Sequence, residues 1–223
     1  MGRQVTSQVQ VEAGFPALDR FGFAVPLGRT DAKRVLDVVL SLSLLLLAAP
    51  VLALVSLAIV LDSRGPLLFC QRRTGFNGRI FGILKFRSMH VMEDGAEIIQ
   101  ATAHDTRVTR VGRIIRRLSL DELPQLFNVI AGDMSLVGPR PHAVAHDAYF
   151  GAAISNYALR QTVKPGITGW AQVNGARGAT PNLKVMQQRV DLDAWYVTHA
   201  CMALDLKILL RTPLEVLRSR DVP

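Results

Sequence analysis

The chain has 223 residues with a formal net charge of +8 and a pI near 10.2, yet 49% of it is hydrophobic and only 6% aromatic. That is room for one domain with a core, or one domain and a membrane anchor, and the mix of basic and apolar character points to an anionic membrane surface or to phosphate-bearing ligands. Nucleic acid is disfavoured because no aromatic residues interleave with the cations to stack bases, and Cys70 and Cys201 alone exclude a disulfide framework or a zinc-ligand spacing.

Residues 1–30 carry no sustained period and read as a flexible leader, without the apolar core of a signal peptide. The opening MGRQVT fits the myristoylation pattern by its letters only. From Val38 to Leu61 run 24 residues without a charge. One unbroken helix of that length would reach about 36 Å, enough to span a bilayer. Pro50 stands at its middle, where it removes a helical hydrogen bond and predicts a break or kink. Lys33 and Arg34 precede the segment, and Arg64, Arg72 and Arg73 follow it. Positive flanks at both ends favour one cytoplasmic side for both, hence a re-entrant hairpin over 31–64; a proline-kinked spanning helix is the competing reading.

Residues 65–223 are soluble in character and read as the domain that follows the membrane segment. LLFCQRRTGFNGRIFGILKFRSMHV reads as short strands with a hairpin near Asn77-Gly78. Between residues 72 and 87 stand five cations and no acid, namely Arg72, Arg73, Arg79, Lys85 and Arg87. They suit a basic face on anionic lipid or a phosphate-binding shelf.

The stretch 105–141 predicts two short amphipathic helices meeting at Ser119. Ser119-x-x-Glu122 has the form of a capping box, with Asp121 in the first turn where it suits the helix dipole. The same place suits chemistry. A carboxylate at a helix start among arginines is expected to be held ionised, able to attack phosphorus, while its neighbour holds Mg²⁺. Both readings stand from the residues alone. P-loop, G-x-G-x-x-G and G-x-S-x-G patterns are missing, and His142 and His146 lack the glutamate of a zinc-protease helix. The tail from Asp191 is amphipathic and basic. It reads either as interfacial helices, with Trp195 and Tyr196 at headgroup level, or as a core-packing helix pair.

KRVLDVVLSLSLLLLAAPVLAL, QRRTGFNGRIFGILKFRSM, DTRVTRVGRIIRRLSLDELPQLFNVIAGDMSLVGPRP and VKPGITGWAQVNGARG occur in that order. Together they resemble the bacterial sugar transferases, the monotopic polyprenyl-phosphate phosphoglycosyl transferases of exopolysaccharide initiation, from about Lys33 to Leu217. The resemblance implies a helix-rich α/β fold with a proline-broken re-entrant membrane helix, a compact catalytic domain and interfacial amphipathic helices. It implies transfer of a sugar-1-phosphate from a UDP-sugar to undecaprenyl phosphate with release of UMP, at the cytoplasmic face of the bacterial inner membrane. Asp121 would be the nucleophile, forming a covalent phosphosugar, and Glu122 would bind Mg²⁺. Lys85, Arg87 and Arg140 would contact phosphates, with Arg107 and Arg113 as further candidates. WAQVNGARG resembles relatives that use hexose donors, and a homodimer is compatible with the family. Relatives often break the membrane helix at Ser-Pro, where this chain has Ala49-Pro50, and have Thr where Ser88 stands. Larger relatives carry an N-terminal multi-span region; the chain resembles a catalytic unit standing alone. A non-catalytic membrane scaffold of a polysaccharide assembly complex is the alternative, although it has no need of the Asp121-Glu122 pair.

Overall fold

The computed structural model describes residues 29–90 and 105–218, so the expected leader lies almost wholly outside the described residues. Helix α1 (Arg29–Asp62) is followed by β1 (Leu68–Thr74) and β2 (Ile80–Phe86), then α2 (Arg110–Arg117) and α3 (Gln125–Ala131). Next come β3 (Ser135–Val137), α4 (Val144–Ala153), β4 (Gly166–Thr168), α5 (Trp170–Val173), α6 (Leu183–His199) and α7 (Met202–Arg218). The helix-rich α/β character expected from the sequence is what is observed.

β1 and β2 pair antiparallel from Leu68↔Phe86 to Thr74↔Ile80. The turn falls where Asn77-Gly78 predicts it, and Asn77 holds φ 52°, a left-handed conformation that asparagine tolerates better than most residues. β3 and β4 are parallel, Ser135 facing Gly166 and Val137 facing Thr168. This pairing brings the two backbones so close that a Cβ on Gly166 would lie 2.1 Å from the Gly138 nitrogen. The GPRP loop after β3 is thereby pinned at its first residue.

α1 runs through Pro50 as one 34-residue element, about 51 Å of helix, rather than as two separate half-helices. It is long and apolar enough to cross a membrane. Yet both of its ends are fastened to the same body. At the N-terminal end Lys33 donates to the Val137 carbonyl and to Asp205, and Arg34 donates to the Val129 and Ile130 carbonyls at the end of α3. Asp37, buried inside an apolar helix, is satisfied by the Ser135 hydroxyl and the Leu136 N–H. At the other end Asp62 accepts from the Val111 N–H at 3.0 Å, and Val55 and Ile59 pack with Phe86 and Ile115. An apolar outer face is bare along the helix, Leu46 and Leu47 in the middle being 78% and 75% exposed.

The main core lies between the hairpin, α3, β3, β4, α5, α6 and α7, around Val129, Met134, Tyr196 and Ile208. Tyr196 is thus a core residue, its hydroxyl donating to Asp205 at 2.7 Å, and not the headgroup residue that its position beside Trp195 suggests. Consecutive helical residues point about 100° apart, so the pair could not share one environment. Trp195 is on the surface, stacked between Trp170 and His199. On α7, Leu204, Asp205 and Ile208 face inward while Leu206, Leu210, Leu214 and Leu217 are exposed, so the helix is both a core element and the carrier of an apolar outer stripe.

Candidate active site

α2 starts at Thr109, whose hydroxyl accepts from the Gly112 N–H at 2.8 Å, a side-chain cap. Gly112 is required there, since a Cβ would stand 2.1 Å from the Ser88 carbonyl oxygen. The chain leaves α2 and turns sharply at Ser119, with φ 56° and ψ 21°, into the single 3₁₀ turn Leu120–Glu122. The expected capping box does not form. Ser119 makes no side-chain cap, and the Glu122 side chain points away from it. Ion pairs from distant segments outweigh the local reciprocal bonds, because two charge-assisted partners are stronger than one neutral cap.

Glu122 is clamped from two sides. Oε1 accepts from Lys85 Nζ of β2 at 3.1 Å and from Arg140 Nη2 at 2.5 Å, and Oε2 accepts from Arg140 Nη1 at 3.1 Å. Burial alone would push its pKa up, but Arg140 and then Lys85 overcome this and hold the carboxyl well below the usual range. Lys85 is itself lowered by burial, with Glu122 pulling the other way.

Asp121 is different. It is 7% exposed, and among the described residues no hydrogen bond holds its carboxylate. Burial first, then the adjacent Glu122 charge, push it up to about 6, against the pull of Lys85, Arg116 and Arg140. Desolvation thus outweighs the nearby arginines: the carboxyl is half-ionised near pH 6 and mostly ionised at neutral pH.

Arg140 is supported from behind. Arg160 Nη2 donates to the Arg140 carbonyl at 2.5 Å, and Arg73 Nη1 donates to the Pro141 carbonyl at 3.2 Å. Arg160 is held in turn by a buried ion pair with Asp193 at 2.9 Å. His142 belongs to this support: Arg160 Nη1 lies 2.6 Å from its Nδ1, and Tyr157, 2.7 Å from the same nitrogen, donates its hydroxyl to Asp147. Burial and the surrounding arginines keep His142 well below its ordinary acidity range, hence neutral. Among the described residues no cluster of three or more His, Cys, Asp or Glu side chains forms a metal cage, so the His142/His146 pair makes none.

Of the residues expected from the sequence, Lys85, Arg140, Asp121 and Glu122 come together. Arg87 does not join them. It is 2% exposed and donates to the Ile59 and Ser63 carbonyls, closing the C-terminal end of α1. Arg107 pairs with Asp105 at 2.7 Å, and Arg113 is exposed on α2. Two cations that the sequence left unassigned stand closer. Arg116 acts on Asp121, and Arg177, from the NGARG loop, donates to the Ser119 hydroxyl. Arg116 stands with Arg107, Arg110, Arg113 and Arg117 just upstream of the dyad, and nothing in the spacing distinguishes it from Arg113.

An oxygen-only pair of this kind fits a small hard cation. Mg²⁺ takes one or two carboxylates and completes its shell with substrate phosphate oxygens and water. Oε1 of Glu122 already accepts two donors; its Oε2 accepts one, and the Asp121 oxygens accept none, so acceptor capacity remains for such an ion.

Comparison with known proteins gives this geometry its context. The chain is 56% identical over 180 residues to the UDP-glucose:undecaprenyl-phosphate glucose-1-phosphate transferase of Caulobacter vibrioides, covering 81% of this chain and 67% of that protein. It is 51% identical to the protein of the same name from Escherichia coli K12, over 81% of this chain but 39% of that one. The UDP-N-acetylgalactosamine-undecaprenyl-phosphate N-acetylgalactosaminephosphotransferase of Aeromonas hydrophila is 40% identical, over 81% of this chain and 42% of its own length. The chain thus spans about two fifths of the length of two of these relatives and two thirds of the third. The family described as Bacterial sugar transferase matches residues 28–219, nearly everything from the first described helix onward, and the chain belongs to that family.

Proposed function

We propose that this chain transfers a sugar-1-phosphate from a UDP-sugar to undecaprenyl phosphate, releasing UMP, through a covalent phosphosugar on Asp121. The observation that carries the reading is the asymmetry of the two carboxylates. Glu122 is clamped by three charge-assisted hydrogen bonds, whereas Asp121, one residue away, is buried and accepts none among the described residues. An ionised carboxylate stripped of water and of donors is a better nucleophile than a solvated one.

In the first step an Asp121 oxygen attacks the sugar-bearing phosphorus. A bond from aspartate oxygen to phosphorus forms, the bond to the bridging oxygen breaks, and UMP leaves with the electron pair. In the second step an oxygen of undecaprenyl phosphate attacks the same phosphorus, and the Asp121–phosphorus bond breaks to return the free carboxylate and the lipid diphosphate-sugar. Lys85 and Arg140 line the place where charge shifts between oxygens, and their bonds to Glu122 keep them aimed before substrate arrives. Mg²⁺, held through Glu122 with the diphosphate, would neutralise charge on the departing nucleotide. A hexose donor such as UDP-glucose is the first choice, given the names of the Caulobacter and Escherichia relatives; the Aeromonas name leaves acetamido sugars open.

The same reading gives α1 a place in the membrane. Its two ends are tied to one body, and its bare leucines lie between them. With a bend at Pro50, which this reading requires, a helix so tied returns to the side it started from and enters the cytoplasmic leaflet of the inner membrane without crossing it. The α7 leucine stripe and Trp195 would rest on the same surface.

The test is UMP release by membrane-bound protein supplied with undecaprenyl phosphate, Mg²⁺ and a panel of UDP-sugars. Lipid-dependent release with one donor supports the reading and names the sugar. Silence across the panel from folded protein favours a non-catalytic scaffold.

A further inference from the structure

The cations that the reaction needs are, in the described structure, largely spent on Glu122. Arg140 gives it two bonds and Lys85 one. Among the cations beside the dyad, Arg177 keeps a buried donor in hand; Arg87 also does, but at the end of α1. Arg177 Nη2 donates to Ser119 Oγ, while its Nη1 is buried and has no hydrogen-bond partner among the described residues. A buried guanidinium N–H without an acceptor is uncommon and costly, and it points to an acceptor that arrives from outside.

The loop that carries Arg177 is built to hold it there. Gly175 and Gly178 both take positive φ, 86° and 99°, so the chain doubles back on either side of residues 176 and 177. Arg189 of α6, itself buried, reaches into this loop and donates to the Ala176 carbonyl at 3.1 Å and to the Gly178 carbonyl at 2.7 Å. The backbone is thus clamped one residue before and one after Arg177, and its side chain is sent toward the Ser119 turn, two residues ahead of Asp121. Glu122, Asp121 and Arg140 all act electrostatically on Arg177, as does Glu215 of α7.

We propose that Arg177 is a further phosphate-binding residue of this site, its free Nη1 donating to a non-bridging oxygen of a phosphate group drawn up beside Asp121. The inference rests on the transfer reaction proposed above and adds to it a contact at the Ser119 turn, beside those of Lys85 and Arg140. The phosphate is either that of the nucleotide-sugar or that of the lipid acceptor; the two share the same anionic oxygens.

The experiment uses the full chain in membranes and separates the two half-reactions. In the donor arm, affinity for UDP and the single-turnover burst of UMP without acceptor are read. In the acceptor arm, discharge of the loaded enzyme by undecaprenyl phosphate is read. The variants are R177M, R177K and S119G, the last removing the Ser119 hydroxyl while suiting its positive φ. A phosphate contact predicts a loss of about 10- to 100-fold for R177M in one arm, partial recovery in R177K, and S119G within about threefold of the parent. Loss in the donor arm assigns the contact to the nucleotide-sugar; loss confined to discharge assigns it to the lipid phosphate. Wild-type behaviour of R177M in both arms overturns the inference. So does S119G losing as much as R177M, because Arg177 would then serve only to hold the turn. A parent protein that neither binds UDP nor releases UMP fails the transfer reaction itself, and the inference with it.

Discussion

Two buried polar clusters sit back to back on the GPRP loop, and they are wired differently. Behind the loop, Arg160 reaches Asp193, His142, the Tyr157 hydroxyl and the Arg140 carbonyl, and Tyr157 passes its proton donor on to Asp147. In front of it, Glu122 is clamped, but Asp121 accepts no hydrogen bond and Arg177 keeps a donor without a partner among the described residues. His142 Nε2 and Asp147 Oδ2 of the rear cluster are also without partners among the described residues; what differs is that the dense bonding around Arg160 fixes geometry, while the capacity left at Asp121 and Arg177 has room for a substrate. Arg140 belongs to both, its carbonyl held by the rear cluster and its guanidinium aimed by the front one.

Asp121→Asn removes the nucleophile and should lower UMP release by about 10³-fold or more, with membrane association intact. The same substitution should raise the melting temperature at neutral pH. The folded pKa of Asp121 stands above its unfolded value, so the native state alone holds that proton between about 3.8 and 6. Stability is therefore lost as pH rises through that window, and the deficit is fully present above about 6, where a neutral amide escapes it. A variant that loses activity and stability together would place Asp121 with the structural cluster instead.

In the rear cluster the order reverses. Asp193→Ala leaves Arg160 buried without its carboxylate and should cost about 3–5 kcal/mol of stability, read by thermal unfolding, with activity falling alongside through Arg140. Next in size is the pH profile of the donor half-reaction. Because Asp121 attacks only as the carboxylate, the rate should fall about tenfold per unit below its pKa of about 6, or below a lower value if a bound cation favours the ionised form. A flat profile down to pH 4 would contradict the raised pKa. Smaller still, Arg87→Met should lower the melting temperature while changing donor affinity less than about threefold, since its bonds go to the end of α1. The smallest effect is expected at Arg113, where the alanine variant should stay within about twofold in every assay, its side chain being exposed on α2.

The parts legible in the sequence were those set by local chemistry or by long ordered motifs. Asn77-Gly78 marks its turn because few residue pairs tolerate that backbone. The break between α2 and α3 shows in the hydrophobic period, and the dyad shows in the motif that carries it. What misled was local logic in places where tertiary partners decide. The Ser119-x-x-Glu122 pattern describes a cap, but Lys85 and Arg140, 37 and 18 residues away, claim the glutamate. Arg87 and Lys85 stand two apart on one strand segment and look equivalent by charge; only the packing of α1 sends Arg87 to a helix end. Tyr196 looked interfacial beside Trp195 until the helix phase put it opposite Asp205. The parallel β3–β4 pair could not be read at all, because each strand is three residues long and too short to show a period.

The most direct test of the central claim is the intact mass of the protein after incubation with a hexose UDP-sugar and Mg²⁺, without lipid acceptor. The account predicts a gain of one hexose phosphate, absent from Asp121→Asn and discharged on adding undecaprenyl phosphate. UMP release that proceeds only when acceptor is present, with no mass gain on the protein at any time, would contradict it and place the transfer in a single direct step.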